Sequence, residues 1–513
     1  MKYLSLLTLA PLVGALTVAF VPRAKPELAK RLALIWSIVA LAVGVAAWIA
    51  YQPNGPRMQL QESYTWIPAW GAKFSFAVDG IAMVMIALIV LLVPLVILAS
   101  WHDAEKSKRS VPAYFALLLA LEGTMIGTFT SADVLLFYLF FEVMLVPMYF
   151  IIGSFGTDVP AKQRQYAAVK FFLYSLVGGL LMLAAVIGMW VYGGHTFDWQ
   201  TLTNVEFTTN VQRWLFLGFF IAFAIKAPFF PFHTWLPDAG GAAPAGAAAL
   251  LVGVMDKVGT FGILRYCLPL FPEASRWFAP WAIGLSLIGI IYAALVAIGQ
   301  KDLKRLVSYT SIAHFGFIGI GIFAFTYQAG SGAVLYMVNH GLATGLLFLV
   351  VGMFVARRGS TLVTDFGGAG KLLPLLAGVF FIAGMASLAL PGLAPFVSEF
   401  LVLIGTFTVN KPVAVIATVG IILAAAYVLW MIQRTTQGNT NPVLHDLAPM
   451  KRDLSLREGI VVAPLIVLLI VLGFYPKPVL DVINPAVQAT LTDVVTPERA
   501  DPAPATSTVE AGK

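Results

Sequence analysis

Charge is scarce in this chain. Asp, Glu, Lys and Arg make up 11% of its 513 residues, where a soluble domain has about 25%. That excludes a soluble globular fold for most of its length. Cys267 is the only cysteine, which excludes an internal disulfide and any all-cysteine zinc or iron–sulfur centre. Also missing are a Walker loop, a dinucleotide glycine fingerprint after a strand, paired histidines at haem-ligand spacing and a nucleophile motif. The net charge of +7 does not argue for nucleic acid, because the basic residues lie between apolar stretches instead of forming one patch. The hydrophobic share is 59% and the mean hydropathy +0.88. The composition is that of an all-α integral membrane protein.

Runs of about 17–25 apolar residues mark spanning helices. Fourteen are expected, near 4–21, 32–50, 77–100, 112–131, 134–153, 166–192, 212–228, 247–268, 278–299, 304–326, 331–356, 372–408, 412–433 and 458–475. The apolar run behind Lys2 lacks a small-residue cleavage site before Pro22-Arg23 and reads as the first helix, not a signal peptide. The odd-numbered connections carry most of the lysine and arginine, among them Arg23, Lys30, Lys108, Arg109, Lys304, Arg305, Arg357 and Arg358. The positive-inside rule then puts both termini on the outer face. Residues from about 495 onward are rich in Ala, Pro, Thr and charge and read as a disordered tail.

Two spans cannot be regular helix. The seventh meets Lys226-Ala227-Pro228 and then Pro231; the twelfth meets Pro391-Gly392-Leu393-Ala394-Pro395. Reading either as two crossings would move basic connections to the wrong side, so the twelfth is expected to be one broken crossing, and the stretch after Pro228 a broken continuation of the seventh helix or a re-entrant segment. Each break has one ionisable residue beside it, Lys226 and Glu399. The two spans are five apart, and an odd offset makes the related halves inverted in the membrane. Paired interrupted helices in inverted halves point to an ion site in transporters, and a mid-membrane break frees backbone groups that can hold water. The expected division is 1–110 for helices one to three, 111–270 and 271–435 for two inverted five-helix repeats, and 436–513 for the last helix and a polar tail.

Ionisable residues inside apolar spans are costly and usually functional. Glu142 stands alone in Phe141-Glu142-Val143-Met144-Leu145-Val146-Pro147, and Lys226 is its natural partner in the same half. Lys257 lies mid-span beside Asp256, and burial favours its releasing a proton; the alternative is a structural ion pair with Asp256, although neighbours on a helix lie about 100° apart and do not face each other well. Glu399 could carry a proton or merely cap exposed backbone. His314 and His340 suit a neutral-pH relay and equally suit satisfied core positions. Glu122 could brace the carboxylate cluster or pack. Lys170, near a helix start, could snorkel to the interface. His233 sits on the first break, where it could control access from the inside. Asp79 and Asp133 lie near span ends and are expected to be solvated.

These residues resemble a known family. Residues 135–149 are similar to the fifth helix of the antiporter-like subunits of proton-pumping NADH:quinone oxidoreductase, respiratory complex I. So are Lys226-Ala227-Pro228 with Pro231-Phe232-His233-Thr234-Trp235-Leu236-Pro237-Asp238-Ala239, Ser311-Ile312-Ala313-His314 and Asn339-His340-Gly341-Leu342. The resemblance covers roughly residues 75–460. Glu399, where the L- and N-type and sodium/proton antiporter subunits usually carry lysine, looks like the M type.

The resemblance implies a fourteen-helix membrane-arm subunit of a bacterial cell membrane that couples NADH-to-quinone electron transfer to proton pumping. Glu142 and Lys226 would be a coupling pair, Lys257 the central lysine, His314 and His340 relays, and Glu399 the terminal acid. It implies no cofactor in this chain, with NADH, FMN, iron–sulfur clusters and quinone in partner subunits. The implied partners are the other membrane-arm subunits, above all the L and N types, and the bilayer. Two departures stand out. Gly240-Gly241-Ala242-Ala243-Pro244-Ala245 replaces a histidine and polar residues, and Asp256 replaces an apolar residue. A cation/proton antiporter subunit of Mrp type and a structural membrane scaffold are the competing readings.

Overall fold

The computed structural model describes residues 2–107, 109–446 and 452–495. Helix occupies all fourteen expected stretches. Among the described residues eleven helices are long and apolar enough to cross a membrane, and Tyr3–Ala19, Pro374–Ser387 and Ala394–Val409 are shorter apolar helices. The seventh stretch is helix over Thr209–Lys226, stops, and resumes as Trp235–Ala242. The twelfth is Pro374–Ser387 followed, after a break over 388–393, by Ala394–Val409. Both breaks lie where proline removes amide donors and crowds the preceding turn.

Contacts among the connections sort by parity. Lys304 of the ninth connection pairs with Asp158 of the fifth at 3.2 Å and donates to the Ala243 carbonyl of the seventh at 2.9 Å. Arg357, ending the eleventh helix, pairs with Glu458, opening the fourteenth, at 2.8 Å. Lys30 meets Glu105 of the third. On the opposite face Asp133 of the fourth connection accepts from the Lys73 amide of the second at 2.9 Å. Thr209 donates to Glu273 at 2.8 Å and joins the sixth to the eighth. Each of these contacts joins odd to odd or even to even.

The core lies where four helices enclose one another: Gly80–Ala99, Ala245–Leu270, Leu303–Phe323 and Tyr327–Arg358. Outer helices turn apolar residues outward, for example Leu173, Val177 and Leu180, as a lipid solvent permits.

Two elements were not anticipated. Gln59–Ile67 and Ala72–Val78 pair as an antiparallel hairpin, with Tyr64 opposite Phe74 and Glu62 opposite Phe76. It turns at Gly71, whose φ of 67° suits a residue without a side chain. The expected third helix therefore starts at Gly80, capped by Asp79, not at 77. The second element is the helix Lys477–Val495, in a stretch assigned to the last helix and tail. It lies on the face of the even connections, where Arg57 pairs with Asp493 at 2.7 Å and Arg276 donates to the Val494 carbonyl. The tail beyond 495 lies outside the described residues.

Candidate functional site

The fifth helix is interrupted at Met144, two residues after Glu142. Pro147 has no amide to offer the Val143 carbonyl, and the chain turns at Met144 between Val134–Val143 and Leu145–Phe155. Glu142 is half-buried, on the side of the helix that also presents Leu139, Val143 and Val146. Its carboxylate fills the space left by Gly179, where a methyl group would collide with Oε1. Lys226 ends the first half-helix and is buried, its ammonium 5.0 Å from the Phe141 ring centroid and 5.8 Å from that of Phe171. Among the described residues no ion pair joins the two, and Glu142 Oε1 and Lys226 Nζ are both enclosed with no hydrogen-bond partner there. The expected partners are not closed into a salt bridge.

The break itself is held by its neighbours. Trp235 donates from its indole to the Ile225 carbonyl at 2.8 Å. Gly259 of the eighth helix lies so close to Phe223 and Ala227 that a methyl group there would meet backbone. This contact brings Asp256 and Lys257 up to the first break. The eighth helix widens into π turns at Leu251–Met255 and Ile263–Cys267, on either side of Lys257; such turns are frequent at functional sites.

From Lys257 the polar groups run on in contact. Its ammonium donates to the Val252 carbonyl, to Asp256 Oδ1 at 3.0 Å and to His340 Nδ1 at 2.7 Å. The His340 and His314 rings are 5.3 Å apart, centroid to centroid. His314 Nδ1 lies 2.6 Å from the Tyr336 hydroxyl, which donates to Glu399 Oε2 at 2.7 Å. Asn339 donates to the Ala394 carbonyl at 2.7 Å and to Ser398 Oγ at 3.3 Å, tying the second break to the helix that carries His340. The structure thus gathers Lys257, Asp256, His340, His314 and Glu399 into one enclosed row that ends on the second half-helix.

The other candidates stand apart. Glu122 is fully buried, and neither oxygen is hydrogen-bonded to a described residue. Lys170 is tied at 2.7 Å to Asp238, which also holds Arg305 at 2.5 Å. His233 is buried against Phe230 and Tyr292, and among the described residues both ring nitrogens are unpartnered. Asp79 and Asp133, expected in solvent, are buried. Asp79 pairs with the equally buried Arg265 at 2.7 Å, and Asp133 accepts the Lys73 and Leu136 amides. Both cap helices (Gly80–Ala99 and Val134–Val143), and capping draws a span-end carboxylate into the protein. Tyr336 was missed. Its spacing of one helical turn from His340 was legible, but a tyrosine in an apolar run reads as core. Asp238 stood in the motif without being singled out, and its partner Arg305 had been counted only as a connection charge.

A family described as NADH:quinone oxidoreductase/Mrp antiporter matches residues 131–424. NADH-quinone oxidoreductase subunit M of Mycobacterium tuberculosis is 47% identical over 98% of this chain and 96% of its own length. The Rhodobacter capsulatus subunit M is 39% identical over 94% and 95%. Among solved structures, a chain of respiratory complex I from Thermus thermophilus superposes with a TM-score of 0.85 at 29% identity, covering 96% of this chain and 99% of that one. A chain of the Mrp complex from Dietzia reaches 0.83 at 21% identity, covering 96% and 100%, a likeness of fold.

Proposed function

Because the chain belongs to the NADH-quinone oxidoreductase subunit M family, we propose that it is a membrane-arm subunit of respiratory complex I that carries protons across the bilayer. Electron transfer from NADH to quinone takes place in partner subunits, and this chain needs no redox group of its own. Fourteen crossings, with the broken seventh and twelfth counted once each, put both termini on the outer face. This reading follows the positive-inside rule and the parity of the connection contacts. The repeats 111–270 and 271–435 place their breaks in matching positions. The apolar face around Glu142 (Leu139, Val143, Val146 and Phe150) is where a neighbouring L- or N-type subunit would dock.

The observation that carries the proposal is the enclosed row from Lys257 through His340 and His314 to the vicinity of Glu399. Glu142 and Lys226 lie at its head. A scaffold would close its buried charges into pairs, since an unpaired buried charge is expensive; Lys226 is enclosed with no hydrogen-bond or ion-pair partner among the described residues. In this row the proton is held as Lys257 ammonium, handed to imidazole and delivered to a carboxylate, with no bond to carbon made or broken. An Mrp-type antiporter subunit shares the fold, but the relatives at 39–47% identity are complex I subunits. The test is Glu142→Gln, nearly isosteric and without a titratable group. The complex should assemble and lose most proton pumping and coupled quinone reduction. Normal pumping by the assembled variant would sink the proposal.

A further inference from the structure

The hydrogen-bond donors in the row all point one way. A lysine ammonium has three protons, and Lys257 places them on the Val252 carbonyl, Asp256 and His340 Nδ1. His340 Nδ1 is therefore an acceptor, and the neutral ring carries its proton on Nε2. At the far end Tyr336 has one proton, which goes to the Glu399 carboxylate. His314, 2.6 Å from the same hydroxyl oxygen, must then donate from Nδ1 and keep a lone pair on Nε2. The two Nε2 atoms, one a donor and one an acceptor, are both buried and without partners in rings whose centroids lie 5.3 Å apart. The Ser387 carbonyl borders the His314 ring but makes no hydrogen bond to Nε2. Neither histidine reaches Glu399 directly; the Tyr336 hydroxyl is the group between.

We propose that Tyr336 is a proton-transfer residue, the last link of a wire polarised from Lys257 towards Glu399. The inference rests on the proton-carrying role assigned above to the row. One passage moves a proton along three hydrogen bonds and across one gap: from Lys257 Nζ to His340 Nδ1, across the unbonded space from His340 Nε2 to His314 Nε2 that a ring rotation or a water must close, from His314 Nδ1 to the Tyr336 oxygen, and from that oxygen to Glu399. Lysine becomes a neutral amine, the carboxylate becomes an acid, and Tyr336 ends as it began, a neutral phenol. Its hydroxyl must rotate, and both imidazoles, each left as the opposite tautomer, must return to their starting tautomers before the next passage. Tyr336 is fully buried, in contact with the Phe317 and His314 rings, so bulk solvent does not compete for the bond.

The test is Tyr336→Phe, which removes one atom and keeps the ring. Assembly is followed by purification of the complex and by NADH oxidation with ferricyanide, which bypasses the membrane arm. The expected result is an intact complex with unchanged ferricyanide activity. Its rate of proton pumping in proteoliposomes should fall at least tenfold. The solvent deuterium isotope effect on quinone reduction should rise, a change that loosened packing alone does not produce. Tyr336→Met, a flexible side chain of comparable reach with no hydroxyl, asks the same question should the Phe variant not assemble. Wild-type pumping by either variant, with Glu399→Gln impaired in parallel, overturns the link through Tyr336 and leaves the wider reading standing. Wild-type pumping in Glu399→Gln as well overturns the reading on which it rests.

Discussion

Replacing Lys257 by methionine should do two separable things, because the side chain is both a carrier in the row and the partner of a buried carboxylate. Asp256 and Lys257 are wholly enclosed and 3.0 Å apart. At an effective dielectric of about 20, Coulomb's law gives their attraction as about 5–6 kcal/mol. Removing one partner of a buried pair costs about 3–5 kcal/mol, because the other charge is left behind. The two partners are not equivalent. Without Asp256, Lys257 still has His340 and the Val252 carbonyl. Without Lys257, Asp256 has no side-chain partner left, since its second oxygen already has none. Lys257→Met should therefore destabilise more than Asp256→Asn, and the double variant should recover about 2 kcal/mol of the loss, or about thirtyfold in an equilibrium constant.

The assay is the half-life of the purified complex at fixed elevated temperature, with proton pumping measured on the same preparations. Pumping should be lost in Lys257→Met and in the double variant, and kept with an altered pH profile in Asp256→Asn. A double variant no longer-lived than Lys257→Met would show that the two do not act as a pair. An intact Asp256→Asn complex that pumps at no pH would show that the carboxylate is itself a carrier.

Glu399→Lys should keep partial pumping, because an amine can still take and release a proton, while Glu399→Ala should lose more; equal activities, measured in proteoliposomes, would contradict a titrating role. Gly179→Ala should displace the Glu142 carboxylate, at a strain of about 1–3 kcal/mol for overpacking, and slow coupled quinone reduction about tenfold without loss of assembly; an unchanged rate would mean the position of Glu142 is not critical. A cysteine at Gly438 should react with an impermeant reagent only from the inside and one at Lys477 only from the outside, with Cys267 buried and silent; labelling of both from one side would break the fourteen-crossing plan. In the third connection, the hydrogen bond from Lys30 holds the Glu105 carboxyl below its ordinary range. Its contribution is complete above the ordinary carboxylate range and is lost as pH falls through the lowered value, so Glu105→Gln should shorten the thermal half-life of the complex at pH 7 and match wild type in acid; a deficit that grew in acid would contradict the pairing.

Much of this was legible because the membrane simplifies the problem. Backbone groups in lipid must be satisfied within the segment, so long apolar runs could only be helices, and prolines within them could only be breaks. The same reasoning located Glu142, Lys226, Lys257 and Glu399, since a charge in such a run stands out from its neighbours. It failed where the environment stops being lipid. The hairpin at Gln59–Ile67 and Ala72–Val78 and the helix Lys477–Val495 pack on the face of the even connections. Their stability comes from contacts distant in sequence, such as Arg57 with Asp493, which no local pattern encodes. Asp79 and Asp133 were read as solvated ends for the same reason.

The lesson for the site is about partners. An ionisable residue announces itself in an apolar span, but the groups that connect such residues do not. Tyr336, Asn339 and Trp235 have side chains that pass for core or packing, yet each makes a polar bond that gives the row its shape: Trp235 to the Ile225 carbonyl, Asn339 to the Ala394 carbonyl, Tyr336 to Glu399. Two of these hold the helix breaks and one bridges the row. The charges say that a proton can rest at a position; the neutral hydrogen-bonding side chains decide whether it can leave, and in which direction.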